Sequence, residues 1–93
     1  MDLKIGEVVI SKSGRDCGKM FIVIKIIDEQ YVMLCDGKLR KIERPKKKKM
    51  KHINTTGVVA DTLAEKIANQ TKIYNAEIQR VLNGIDISEE VDC

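Results

Sequence analysis

The run Met20-Phe21-Ile22-Val23-Ile24-Lys25-Ile26-Ile27 constrains this chain more than any other segment. β-Branched side chains are stiff at χ1 and pack well on a pleated surface, so the run reads as a strong central strand. Alternate residues of a strand face opposite ways, and here both alternating sets are mostly apolar. A flat sheet with one wet face does not suit it. A bent strand serving two sides of a small barrel does.

The neighbouring segments extend that pattern. Ile5 to Ile10 carries Val8-Val9-Ile10 and reads as a first strand, followed by the polar loop Ser11 to Gly18 with two glycines. After a turn at Asp28-Glu29-Gln30, Tyr31 to Cys35 reads as a third strand. Asp36-Gly37 is a short hairpin signal, because both residues tolerate the positive φ of a type I′ turn. Lys38 to Glu43 is then expected as a fourth strand, stopped by Pro45, which cannot donate to a ladder. Met50 to Asn54 is a candidate closing strand.

After Thr55-Thr56-Gly57 the period changes. Leu63, Ala64, Ile67 and Ala68 are spaced for one helical face, with Thr62 and Glu65 as a capping box or Asp61 as the cap. Asn75 looks like the N-cap of a second helix, whose apolar face is Ile78, Val81 and Leu82 and whose C-cap is Gly84. Two short helices are favoured over one long one, because Asn69-Gln70-Thr71 and Ile73 weaken the join. The tail from Ile85 to Cys93 is acidic and expected to fray. Four or five short strands followed by helices imply a mostly β fold with α, a small barrel with a helical cover. The expected division is a barrel over residues 1–56 and a helical extension over 57–93.

Ninety-three residues suffice for one small domain and leave no room for a large catalytic cleft. The three cysteines, Cys17, Cys35 and Cys93, form neither a disulfide framework nor a C-x-x-C pair, and read as free thiols of a reducing cytoplasm. No zinc site is expected. No apolar stretch is long enough for a signal core or a membrane span, so a soluble, cytoplasmic protein is expected.

Charge is divided along the chain. Residues 1–56 hold 14 Lys and Arg against 7 Asp and Glu, whereas residues 57–93 hold 3 against 7. That asymmetry marks a basic interaction module with an acidic appendage, and a polyanion is the natural partner of the basic half. The sharpest cluster is Arg44-Pro45-Lys46-Lys47-Lys48-Lys49-Met50-Lys51-His52, preceded by Lys38, Arg40 and Lys41. A solvated charge run is the alternative, as is a targeting signal or an anionic-membrane patch. Nucleic acid is favoured because the cluster sits inside a folded pattern. The only aromatics are Phe21, Tyr31 and Tyr74, too few for recognition by base stacking on ring platforms.

The segment Gly6-Glu7-Val8-Val9-Ile10-Ser11-Lys12-Ser13-Gly14-Arg15-Asp16-Cys17-Gly18-Lys19 resembles the KOW motif. Residues 5–54 are similar to the KOW-containing large-subunit ribosomal proteins of archaeal and eukaryotic type, numbers fourteen, six and twenty-seven, and to the bacterial KOW-domain RNA-binding proteins of this length. The resemblance implies an SH3-like barrel whose first loop contacts RNA, ribosomal RNA above all, with roles in the ribosome and translation. Gly18 stands at the family's characteristic glycine.

The residues suit that role. Glycines bring backbone close to phosphate, and successive N–H groups could cradle an anion. Arg15 offers a planar fork, with Lys12, Ser13 and Lys19 beside it. Asp16 is expected to cap the loop or orient Arg15. The expected RNA-binding set is thus Lys12, Ser13, Gly14, Arg15, Gly18, Lys19, Lys38, Arg40, Lys41, Arg44, Lys46, Lys47, Lys48, Lys49, Lys51 and His52. About six phosphate contacts would give a log–log salt slope of roughly −4 to −5.

Other functions are weaker fits. A KOW-type protein-interaction module docking on the transcription or translation machinery is the alternative, with the acidic half as its contact surface. No P-loop, nucleophile elbow, paired-carboxylate or metal-ligand motif is present, and the lone His52 reads as structural, so neither catalysis nor a cofactor is expected.

Overall fold

The structure, a computed structural model, describes residues 3–85. The strands are β1 (Glu7–Ser11), β2 (Met20–Ile26), β3 (Tyr31–Cys35), β4 (Lys46–Lys49) and β5 (Ile53–Val59), and the helices are α1 (Asp61–Ala68) and α2 (Asn75–Asn83). The expected acidic tail lies outside the described residues. All strand pairings are antiparallel, in the order β4-β3-β2-β1-β5.

That order forces the sheet to curl. β4 and β5 are the two outer strands, yet only a single 3₁₀ turn, Met50–His52, joins them. Four steps at the 3₁₀ rise of about 2 Å span about 8 Å. In a flat sheet the two edges would lie four spacings of about 4.8 Å apart, roughly 19 Å. The connection therefore closes the sheet into a small barrel-like form. The turn is tied in by Met50 N–H donating to Gln30 O (2.7 Å) and Lys12 N–H donating to His52 O (3.0 Å).

The strand period separates two cores. Val9, Phe21, Val23, Val32, Leu34 and Ile53 fill the inside with Leu3. Val8, Ile22 and Cys35 face the other way and pack with Leu63 of α1, Ile73, and Ile78 and Leu82 of α2. This explains why β2 is apolar on both faces: one fills the barrel and the other is roofed by helices. Burying each such Leu or Ile contributes about 1.5–3 kcal/mol.

Several sequence expectations are corrected. Residues 38–43 form no strand. The Asp36 carboxylate accepts the N–H groups of Lys38 (2.9 Å) and Arg40 (2.8 Å), and the Asp36 and Gly37 N–H groups both donate to Arg40 O. The chain thus turns on itself, and the ladder partner of β3 begins only after Pro45, with the lysine run itself. The segment 50–52 is a 3₁₀ turn rather than strand, and β5 continues to Val59, past the expected boundary at residue 56. Neither Asp61 nor Thr62 caps α1, whose N-cap is Ala60. Asn75 begins α2 and Tyr74 is its N-cap, while Gly84 is the C-cap, as expected. Among the described residues the helices are two, separated by residues 69–74, with Gln70 at φ 56°.

Cys17 is disulfide-bonded, against the expectation of three free thiols. Cys35 is a free, buried thiol. Burial, followed by the charges of Asp36 and Glu43, pushes its pKa up to about 12. No helix of the described residues is long and apolar enough to cross a membrane.

Candidate nucleic-acid interface

The lysine strand is an ordered element with two unlike faces. Cross-strand partners share a face, and β4 pairs Lys46 with Leu34, Lys47 with Met33, Lys48 with Val32 and Lys49 with Tyr31. Val32 and Leu34 point into the barrel, so Lys46 and Lys48 do as well. Lys48 is only 7% exposed. A buried ammonium needs a partner, and Asp16 supplies it.

Asp16 belongs to the β1–β2 loop, and both oxygens of its carboxylate are engaged. Ser11 Oγ donates to Oδ1 at 2.8 Å, Lys48 Nζ to Oδ1 at 3.0 Å and Lys46 Nζ to Oδ2 at 2.6 Å. Lys48 Nζ also donates to Ser13 O at 2.9 Å. Burial alone would raise the carboxyl's pKa. The hydrogen bonds from Lys46, Lys48 and Ser11 outweigh it and hold the group well below the usual carboxylate range. Among the described residues no buried side-chain N or O lacks a partner. With two ammonium groups around one carboxylate, the cluster keeps a net positive charge.

This geometry alters several expected roles. Asp16 does not orient Arg15; it fastens the loop to β4. Lys48 is committed to that fastening and is corrected from a phosphate contact to a structural cation, with Lys46 shared between the two uses. The loop backbone is not an open anion cradle at its second half. Cys17 N–H donates to Gly14 O, Gly18 N–H to Ser11 O and Lys19 N–H to Asp16 O. Gly18, at φ +86°, therefore shapes the turn instead of donating to a ligand.

On the outer face of β4, Lys47 and Lys49 lie over the Tyr31 ring, with Nζ 4.4 and 5.8 Å from its centroid. Such exposed cation–π contacts stabilise by about 0.5–1 kcal/mol each. Lys12 and His52 meet at the 3₁₀ turn beside Lys51. Slight burial, then the charges of Lys51, Lys48, Lys49 and Lys12, lower the His52 pKa and favour neutral imidazole at pH 7.

The β3–β4 loop extends the basic surface, held by α2. Asn75 Oδ1 accepts Ile42 N–H at 2.8 Å, Asn75 Nδ2 donates to the Glu43 carboxylate, and Gln79 Nε2 donates to Gly37 O at 2.6 Å. Gly37 has φ +77°, and a Cβ there would stand 2.4 Å from Asn75 O, so only glycine permits this docking.

Docking the loop aims Arg40 at the first loop. A groove of about 280 Å³ results, with Arg15, Lys19, Arg40 and Lys46 on its walls and Phe21 and Leu39 between them. Four of the expected residues, from three separate segments, converge there. Lys41 and Arg44 line a different hollow with Leu39, Glu43 and Asn75. Lys38 lines a further groove with Lys19 and Leu39, while Ser13 O and Gly14 O are taken up by Lys48 Nζ and the Cys17 N–H.

Two features escaped the sequence reading: the inward face of the lysine strand, and Leu39, which is 64% exposed at the centre of the loop. Alternation after Pro45, opposite Val32 and Leu34, was the available signal for the first. No family model matches the chain.

Proposed function

We propose that this protein binds structured RNA, ribosomal RNA included, through the groove between its first loop and its β3–β4 loop. The observation that carries the reading is the convergence of Arg15, Lys19, Arg40 and Lys46 on one groove where, among the described residues, the one carboxylate, Asp16, is already paired with lysines. Arg guanidinium groups match phosphate oxygens in a bidentate fork, and clustered cations raise the local concentration of a polyanion. The KOW-like sequence of the first loop and the curled five-stranded sheet support the same reading. Folded RNA would be held mainly through phosphates and shape.

Filter binding of the full chain to folded ribosomal RNA fragments, repeated across salt concentrations, tests this. Affinity that falls with salt supports it, and absent or salt-independent binding rejects it. A protein-docking module is the second reading, favoured by the adjacent Ile26 and Ile27, each 40% exposed at the end of β2. A pull-down that survives nuclease would favour it.

A further inference from the structure

Two grooves share Leu39 and Lys19 as a common wall. One is the cationic groove. The other, of about 550 Å³, lies between the β3–β4 loop and α2. Both grooves are partly apolar, the second through Met20 and Leu82; it differs from the first in holding the side-chain amides of Gln79 and Asn83, and it is lined also by Lys38 and by Asp36, whose Oδ1 already accepts the Lys38 and Arg40 N–H groups. Gln79 is oriented by its Nε2 bond to Gly37 O, which leaves its carbonyl oxygen as an acceptor. Single exposed leucines are ordinary on protein surfaces, so exposure alone is not informative. The position of Leu39 is informative. It stands on a loop fixed at both ends, by the Asp36 turn and by Asn75, among Lys38, Arg40 and Lys41.

An apolar protein segment gains little beside so many cations. A nucleotide matches the chemistry of both grooves, because it joins an anionic phosphate to a flat base with an apolar face and a hydrogen-bonding edge. We propose that the second groove receives one unpaired base of the bound RNA, packed against Leu39 and read at its edge by the Asn83 amide, while Lys19 and Arg40 hold the adjoining phosphates. The inference rests on the RNA-binding reading and deepens it. Its consequence is a preference for RNA interrupted by a bulged nucleotide over continuous duplex. A base already out of the stack is cheaper to capture than a paired one.

The test uses the full chain and one RNA hairpin in three forms: continuous, with a single-nucleotide bulge, and with an abasic bulge. The native protein binds the bulged form about five- to tenfold more tightly than the other two, the lower end of the range for a single base contact. Leu39→Ala and Asn83→Ala, both at exposed positions and checked by thermal melting, each reduce that preference and leave the salt slope intact. Arg40→Ala weakens binding to all three. Equal affinity of the native protein for bulged and continuous hairpins overturns this inference and leaves RNA binding standing, as does full retention of the preference by Leu39→Ala. Absence of salt-dependent binding to any of the three overturns both. Loss, on Leu39→Ala, of a polypeptide retained from nuclease-treated extract assigns the groove to a protein and also overturns the inference.

Discussion

Asp16 and Lys48, far apart in sequence, meet at 3.0 Å under the loop that carries Arg15, and both are nearly buried. The loop's shape therefore depends on a lysine of the outer strand β4, three places from β1 in the sheet. Removing Lys48 leaves a buried carboxylate with one ammonium fewer, and leaving a buried polar group unsatisfied costs about 1–3 kcal/mol. Lys48→Ala is expected to lower the melting temperature markedly, whereas Lys47→Ala, on the exposed face over Tyr31, costs less than about 1 kcal/mol. Thermal melts of the two variants side by side check this.

The same cluster sets an acid limit. The Asp16 carboxyl ordinarily titrates near 3.8, and in the folded protein it titrates below that. A depressed folded pKa contributes stability that is fully present above the unfolded value and lost as pH falls through the folded one. Stability is thus expected to decline below about pH 4, where the unfolded chain takes up a proton that the folded chain resists. Asp16→Asn starts from a lower stability at neutral pH and has a flatter acid limb. Denaturant melts between pH 2 and 7 check it.

Salt dependence of RNA binding reads the number of phosphate contacts. Four groove cations give a log–log slope of about −3 to −3.5, shallower than the charge run alone suggests. Arg15→Ala and Arg40→Ala are each expected to make the slope shallower by about 0.7–0.9 without unfolding the barrel. Titration and melting of the same samples check it.

Gly37→Ala is expected to act at a distance. The left-handed backbone costs alanine about 1–2 kcal/mol, and the contact with Asn75 O adds to it. The loop would lift from α2 and carry Arg40 out of the groove, so RNA affinity falls although no cation has been removed. Comparison with Gly57→Ala, where a Cβ meets nothing, separates the docking effect from strain alone.

Burial and a raised pKa make Cys35 a poor nucleophile, since the thiolate is the reactive species. Native alkylation near pH 8 followed by peptide mapping is expected to leave it unmodified. Denaturant exposes it.

The strands β1, β2 and β3 and both helices were legible because each carries its own period. The segment from Asp36 to Lys49 was not, for two different reasons. Lysine has weak strand preference, so nothing local made a strand of Lys46–Lys49; the open edge of β3 did. The local turn signal at Asp36-Gly37 was real, but Asn75 and Gln79 captured the residues after it, and no local pattern reports a contact with a helix that distant in sequence. Arg15, Lys19 and Arg40 were legible as cations. That they share one groove, and that Asp16 serves lysines instead of Arg15, required the fold.

The short link between β4 and β5 has a consequence for synthesis. β1 is made first but lies inside the sheet, between β2 and β5. Until Val59 has been added, a growing chain holds β1 with one row of backbone donors and acceptors open beside the fully apolar Val8-Val9-Ile10. Such an edge invites pairing with other chains. The last strand is therefore a seal, and a chain ended before Ile53 is expected to aggregate although four of its five strands are present.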